Sequence, residues 1–220
     1  MKPPEKKQDF IPALRFRSLT RYFDWVLDKT LKEDRFRTLL IDQANIAPGQ
    51  RILDIGCGTG TLAIMLKQRF PTAHVTALDA DPDILALARA KADQAGCEID
   101  FQQTLAWEAG FPPESFDRVL SSLVLHHLRP GDKRRTLQAA REWLRPKGEL
   151  HIADWGKAQN LFMRSAFFAV QLLDGFETTA ENVAQGLVPC IDESGFSNSE
   201  ETHREATMFG TLSLYRAGCA

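Results

Sequence analysis

Hydrophobic and polar positions change period several times along this chain. Residues Arg51–Ile55 form a short apolar run that ends in a glycine cluster, and this pattern predicts a buried strand. Residues Thr61–Arg69 then place Leu62, Met65 and Leu66 at helical spacing and stop before Pro71. A second strand is predicted over His74–Asp79. Asp81 and Pro82 supply an N-cap and a first-turn proline for a helix carrying Ile84, Leu85, Leu87 and Ala88, which Gly96 closes. Further strands are predicted over 98–103, 117–122 and 148–154. Between the last two, Asp132 is expected to cap a helix that runs to Arg145 and is ended by Pro146 and Gly148.

Strands alternating with helices imply βαβ units, a parallel sheet and helices on both of its faces. Ligands of such a sheet bind at the carboxyl ends of its strands, near the point where strand order reverses. The two ends of the chain read differently. Residues 10–47 have helical spacing, with Thr30 and Glu33 as a capping box and Phe36, Leu39 and Leu40 as the apolar stripe. Residues 158–175 and 179–194 also read as helices. Two strands follow, at about 199–206 and 210–216, with Gly210 at the turn. Strands joined so tightly must be antiparallel. The expected fold is α/β: a Rossmann-like doubly wound sheet, mostly parallel, with an antiparallel C-terminal hairpin strand and N-terminal helices. Residues 1–47 are expected to be a helical extension over the active site, and residues 48–220 the main domain.

Composition narrows the class. A 220-residue chain can bury about 70% of its unfolded surface and needs no metal or disulfide staple. With 44% hydrophobic and 25% charged residues, it matches a globular protein rather than a disordered one. Cys57, Cys97, Cys190 and Cys219 lie outside metal-ligand spacing, so they read as reduced thiols of a cytoplasmic protein, with no metal expected. The best apolar run, from Leu161 to Phe176, is too short to span a bilayer and contains Arg164, Gln171 and Asp174. A net charge of −2 gives no overall field to attract nucleic acid.

The chemistry concentrates in Leu53-Asp54-Ile55-Gly56-Cys57-Gly58-Thr59-Gly60, between the first strand and the first helix of the alternating region. Glycines there let the backbone turn sharply and approach a ligand. The spacing is Gly-x-Gly-x-Gly, with Thr61 where a dinucleotide fold wants its last glycine. By itself such a cluster is also compatible with a tight strand-to-helix turn. Asp79 adds a second feature. It ends the second strand, where an acid can accept hydrogen bonds from both ribose hydroxyls. The capping role that could otherwise explain it is filled by Asp81.

These segments make the chain resemble class I S-adenosylmethionine-dependent methyltransferases, and within them the group similar to ubiquinone and menaquinone biosynthesis methyltransferases. The segments LDIGCGTG, ALDADPDILALARAKA, FPPESFDRVLSSLVLHHL and LRPKGELHIADWG carry the resemblance, which covers about residues 15–217. It implies S-adenosylmethionine as cofactor, S-adenosylhomocysteine as product, and no metal. Gly56, Cys57, Gly58 and Gly60 would pass under the methionine part of the cofactor. Asp54 would support the loop and interact with the cofactor's amino end through water, Asp79 would hold its ribose and Ala80 would pack on its adenine. Leu105, Ala106 and Ser121 complete the implied cofactor set. The family usually has Gly-Asp-Ala after the third strand, with the Asp bonding the adenine amino group. This chain has Thr104-Leu105-Ala106, and Leu105 cannot accept that bond.

Methyl transfer from a sulfonium is an in-line displacement, so the protein must chiefly position two molecules and exclude water. A base is needed only where the acceptor must lose a proton. Ser121, Ser122, His126 and His127 follow the fourth strand, and Asp154 and Trp155 the fifth. His126, nearer the strand end, is the candidate base. The alternative is that the histidines cap the following segment. Tyr22, Trp25, His127, Asp154 and Trp155 are the candidate acceptor-binding residues. Phe16, Phe23, Phe162, Phe167, Phe168 and Leu172 could add apolar walls or simply pack on the sheet. Such aromatics suggest a small, possibly hydrophobic acceptor. The competing function is a non-catalytic S-adenosylmethionine-binding sensor or partner subunit, which would lack a lined acceptor pocket. A nucleic-acid methyltransferase would want Asn/Asp-Pro-Pro-aromatic where Ser121-Ser122-Leu123-Val124 stands.

Overall fold

A computed structural model describes residues 33–157, 186–207 and 210–219. In chain order the elements are α1 (Glu33–Ala44), β1 (Arg51–Ile55), α2 (Thr61–Arg69), β2 (His74–Asp79), α3 (Pro82–Gln94), β3 (Asp100–Gln103), β4 (Phe116–Ser122), α4 (Pro130–Trp143), β5 (Leu144–Trp155), α5 (Val188–Glu193), β6 (Ser197–Thr207) and β7 (Gly210–Gly218). The strands form one seven-stranded sheet in the order β3-β2-β1-β4-β5-β7-β6. Neighbours from β3 through β5 run parallel, whereas β7 is antiparallel to both β5 and β6. Strand order reverses between β1 and β4, which places a crevice at their carboxyl ends. The doubly wound sheet with its antiparallel terminal hairpin is therefore the architecture expected from the sequence.

The period of two sorts each strand's residues between two cores. Ile52, Leu120 and Ala153 join α1, α2 and α3 on one face through Phe36, Leu40, Leu62, Leu66 and Leu85. Leu53, Ile55, Val119, Leu150 and Ile152 join α4 and α5 on the other, through Leu137, Trp143 and Ile191. By that alternation Asp54 falls on the α1 face and Asp154 on the α4 face. Helix α1 is part of this core, since Phe36, Leu40, Ile41 and Ala44 are fully buried. It is also held by polar contacts. The Gln43 side chain donates to Tyr215 O at 2.9 Å and lies 3.2 Å from His151 Nδ1, and Arg118 Nε donates to Ala44 O at 2.8 Å.

Several boundaries differ from the sequence expectation. Helix α4 starts at Pro130 with Arg129 at the N-cap, so Asp132 is a first-turn acid, not the cap; it pairs with Arg135. The helix ends at Trp143, and β5 begins at Leu144 despite Pro146 and Gly148. Leu144 pairs with Phe116, the next pairing is Glu149 with Arg118, and Lys147 has φ +66. The residues between bulge out of the ladder, which is where a strand tolerates proline. Strand β3 begins at Asp100, not residue 98. Thr30 and the helices read over 10–32 and 158–185 lie outside the described residues.

Candidate active site

Strand β1 ends at Ile55, and the chain turns through three glycines with positive φ: Gly56 at +68, Gly58 at +53 and Gly60 at +77. Each would strain an L side chain, but their surroundings differ. A Cβ on Gly56 would come within 2.5 Å of Val124 Cγ2, so this glycine lets the loop after β4 close against the loop after β1. A Cβ on Gly60 would press on Ala88 of α3 at 3.1 Å. A Cβ on Gly58 would meet nothing within 4 Å, which leaves the bare loop facing open space.

Backbone bonds fix this loop. Cys57 N donates to Leu78 O at 2.9 Å and Gly60 N to Cys57 O at 2.9 Å. The Asp79 carboxylate, at the end of β2, accepts from Gly58 N at 2.9 Å through one oxygen and from Asp81 N at 3.0 Å through the other. Asp79 thus clasps the glycine loop. It stays partly exposed, and a carboxylate has about four acceptor sites. Asp81 caps α3, its Oδ1 accepting from Asp83 N and Ile84 N, as its sequence context indicates. Beyond β3, Thr104 N donates to Asp79 O at 3.0 Å. Leu105 and Ala106 follow at the start of a short 3-10 turn, beside partly exposed Ala80.

Asp54 lies within β1, immediately before the loop, and is 1% exposed. Its Oδ2 has no hydrogen-bond partner among the described residues. Burial pushes its carboxyl up to about 7; the positive charge of Arg37 opposes the rise and the negative charge of Asp79 adds to it. Burial raises the Cys57 thiol as well, with help from both carboxylates. A buried carboxylate oxygen without a partner among the described residues, beside a loop open to ligand, fits a cationic group such as an ammonium. This fits the amino end of S-adenosylmethionine, and the space at Gly58 fits the chain beside it.

The other half of the edge is built around Asp154, which is fully buried at the end of β5. One carboxylate oxygen accepts from Leu125 N at 2.8 Å and His126 N at 3.3 Å. The other accepts from Trp155 N at 2.7 Å and lies 2.7 Å from His126 Nδ1. Burial alone would raise this carboxyl. The charge and hydrogen bond of His126, the Trp155 N–H and the charge of Lys133 outweigh it and hold it below the usual range. An ionised Asp154 can only accept, so His126 Nδ1 carries the proton toward it. The His126 ring is 3% exposed and lies 3.9 Å, centroid to centroid, from that of His127. Trp155 meets His126 edge-on at 6.4 Å. Burial, aided by His126, drives His127 down to about 3, with Asp154 opposing. Ser121 Oγ donates to Ile55 O at 3.2 Å, joining β4 to β1.

The structure therefore brings Asp54, Gly56, Cys57, Gly58, Gly60, Asp79 and Ser121 to one side of the crevice, and His126, His127 and Trp155 to the other. Asp154 sits beneath the loop after β4. Tyr22, Trp25 and the aromatics of 162–168 fall outside the described residues. Two charged residues escaped the sequence reading. Lys133 is fully buried in the first turns of α4, and its charge acts on Asp154. Arg37 lies on α1, and its charge acts on Asp54. Among the described residues there is no group of three or more potential metal ligands and no helix long and apolar enough to cross a membrane.

Comparison with known proteins gives a consistent picture. The methyltransferase domain family matches residues 52–148. An uncharacterised methyltransferase of Synechocystis sp. is 28% identical over 193 residues, 84% of this chain and 88% of that protein. The demethylmenaquinone methyltransferase of Thermus thermophilus is 36% identical over 121 residues, and the match spans 55% of this chain and 54% of that protein. Among solved structures, a SAM-dependent methyltransferase of Methanosarcina mazei superposes with a TM-score of 0.65 at 19% identity, over 81% of this chain and 96% of that one; this likeness is one of fold.

Proposed function

Because the chain belongs to the class I S-adenosylmethionine-dependent methyltransferases, we propose that it transfers a methyl group to a small, hydrophobic acceptor by in-line displacement. S-adenosylmethionine supplies a methyl group already activated on a sulfonium. Asp54 receives the ammonium of the cofactor, the loop from Gly56 to Gly60 runs beneath its amino-acid chain, and the remaining acceptor sites of Asp79 receive the ribose hydroxyls. Ala80, Leu105 and Ala106 flank the adenine, which is then held by packing and backbone groups. The observation that carries this reading is the buried, unpartnered Oδ2 of Asp54 beside the open space at Gly58.

His126 is the base for acceptors that must lose a proton. Asp154 fixes its tautomer through Nδ1, which leaves Nε2 as the atom that takes the proton. His127 and Trp155 stand beside it toward the acceptor, and Tyr22 and Trp25 are the further candidates for binding it. The name of the Thermus thermophilus relative supports a quinone-like acceptor. The reading places the protein in the cytoplasm, acting without nucleic acid. The test is a screen of hydrophobic phenols and quinone precursors that follows S-adenosylhomocysteine formation. Turnover with one of them is expected. Cofactor binding with no turnover on any acceptor, and no change on replacing His126, would favour a non-catalytic binding module.

A further inference from the structure

We propose that Lys133, buried in the first turns of α4, is a positioning residue for the base: its ammonium is the counter-charge that keeps Asp154 an anion and the His126 imidazole free to take a proton. The inference rests on the reading of His126 as the base and adds α4 to that half of the site.

The sequence of α4 sets where the lysine goes. Lys133, Thr136, Leu137, Ala140 and Trp143 are its buried residues, and their spacing of three and four makes one stripe. Leu137, Ala140 and Trp143 share a core with Leu150 and Ile152 of β5. The helix ends at Trp143, and the next residue, Leu144, pairs with Phe116 at the amino end of β4. Helix α4 therefore runs antiparallel to β4 and β5, with its first turns toward their carboxyl ends. Lys133 stands one turn before Leu137, about 6 Å nearer that edge. Asp154 stands two residues after Ile152 on the same face, about 7 Å nearer it. Both residues extend the same packed layer toward the site. The Lys133 side chain leans toward the helix N-terminus, where the turn Leu125–His127 leads into the helix at Pro130.

Charge points to the same pairing. Lys133 has no exposed surface, and a lysine is buried only where its charge is met. Asp154 is the buried anion of this layer, and the charge of Lys133 acts on it together with that of His126. The other titratable groups around the pair are neutral or matched. Burial holds His127, on the same turn, down at about 3 and raises the Tyr215 phenol of β7. Glu201, opposite Tyr215 on β6, pairs with Arg204.

The chemistry of the base requires such a counter-charge. A buried carboxylate beside an imidazole has two ways to shed its charge. In one the carboxyl takes a proton and donates it to Nδ1, which leaves the imidazole hydrogen on Nε2. In the other the imidazole is protonated at both nitrogens. Neither state leaves Nε2 able to accept. Each adds a proton to a cluster that already holds an ammonium, so the Lys133 charge disfavours both. The pair then rests as ionised Asp154 and neutral His126 with its proton on Nδ1.

The test is an NMR pH titration of the imidazole nitrogens in the full chain and its Lys133→Met and Lys133→Arg variants, with the His126 signals assigned by their loss in His126→Gln. In the parent, Nε2 should be unprotonated at neutral pH. Lys133→Met should raise the midpoint of His126 protonation by about one pH unit or more, and Lys133→Arg should keep the parental midpoint. A Lys133→Met protein that melts lower with its His126 midpoint unchanged would make the lysine merely structural and overturn the assignment. Where Lys133→Met does not fold, combining it with Asp154→Asn removes both charges and should restore folding; a double variant that melts no higher than Lys133→Met would overturn the pairing. Parental turnover in His126→Gln would contradict the base reading itself and take this inference with it.

Discussion

Two strand-end aspartates hold the two halves of the site in the same way and with opposite consequences. Asp79 at the end of β2 accepts backbone N–H groups from the loop after β1, and Asp154 at the end of β5 accepts them from the loop after β4. Each carboxylate therefore pins the neighbouring strand's loop. The difference is solvent. Asp79 is partly exposed and has made two bonds, so acceptor sites remain for a ligand. Asp154 is sealed beneath the sheet edge and has made four, the last to the ring of His126. One device yields a ligand-binding acid where water reaches it and a positioning acid where water does not.

The largest expected effect is on turnover. His126→Ala should lower it about 10²–10⁴-fold with an acceptor that must be deprotonated, and should leave S-adenosylhomocysteine affinity unchanged. A parallel fall in affinity would show that the two halves are not separable. Asp154→Ala should then cost about 3–5 kcal/mol of stability in denaturant titration, because it strips a buried ionic cluster of its anion. A loss near that of a surface substitution would deny Asp154 its clasp.

The halves should also answer pH in opposite directions. Asp54, raised to about 7, binds its proton more tightly folded than unfolded. Its contribution therefore destabilises the fold as pH rises from about 4 to 7, by on the order of 4 kcal/mol at most. His127, lowered to about 3, is neutral in the fold when the unfolded chain is already protonated, so its contribution is lost as pH falls from about 6.5 toward 3. In melting curves across pH, Asp54→Asn should flatten the neutral-side decline and His127→Gln the acid-side decline. Identical pH profiles for parent and both variants would remove the electrostatic contrast. The smallest effect is that of Asp79→Ala, about tenfold or more in cofactor affinity for only about 1 kcal/mol of stability, since water replaces the lost acceptor.

Much of the cofactor half was legible in the chain. Strands β1 and β2 and helix α2 occur at the residues expected, because Gly56, Pro71 and the Asp81-Pro82 pair punctuate short apolar runs. The parallel sheet and its antiparallel hairpin were also legible, from the alternating elements and one tight C-terminal turn. The α4–β5 junction was not legible: Pro146 and Gly148 look like terminators, yet they occupy a bulge within a continuing strand. The acceptor half was harder for a different reason. His126 and Asp154 meet across 28 residues of sequence, and nothing local to either indicates that both are buried. The role of Asp79 as a loop clasp was hidden in the same way, since its partner at Gly58 is a backbone amide with no side-chain signature.

The most direct test of the account is the behaviour of Asp54→Asn. This substitution removes the buried charge that the fold tolerates poorly above pH 7 and that the cofactor's ammonium requires. Calorimetry with S-adenosylhomocysteine at pH 8, alongside the melting temperature of the ligand-free protein, reads both effects. The account predicts affinity lower by about tenfold or more in a protein that melts no lower than its parent. Parental affinity in Asp54→Asn would contradict it.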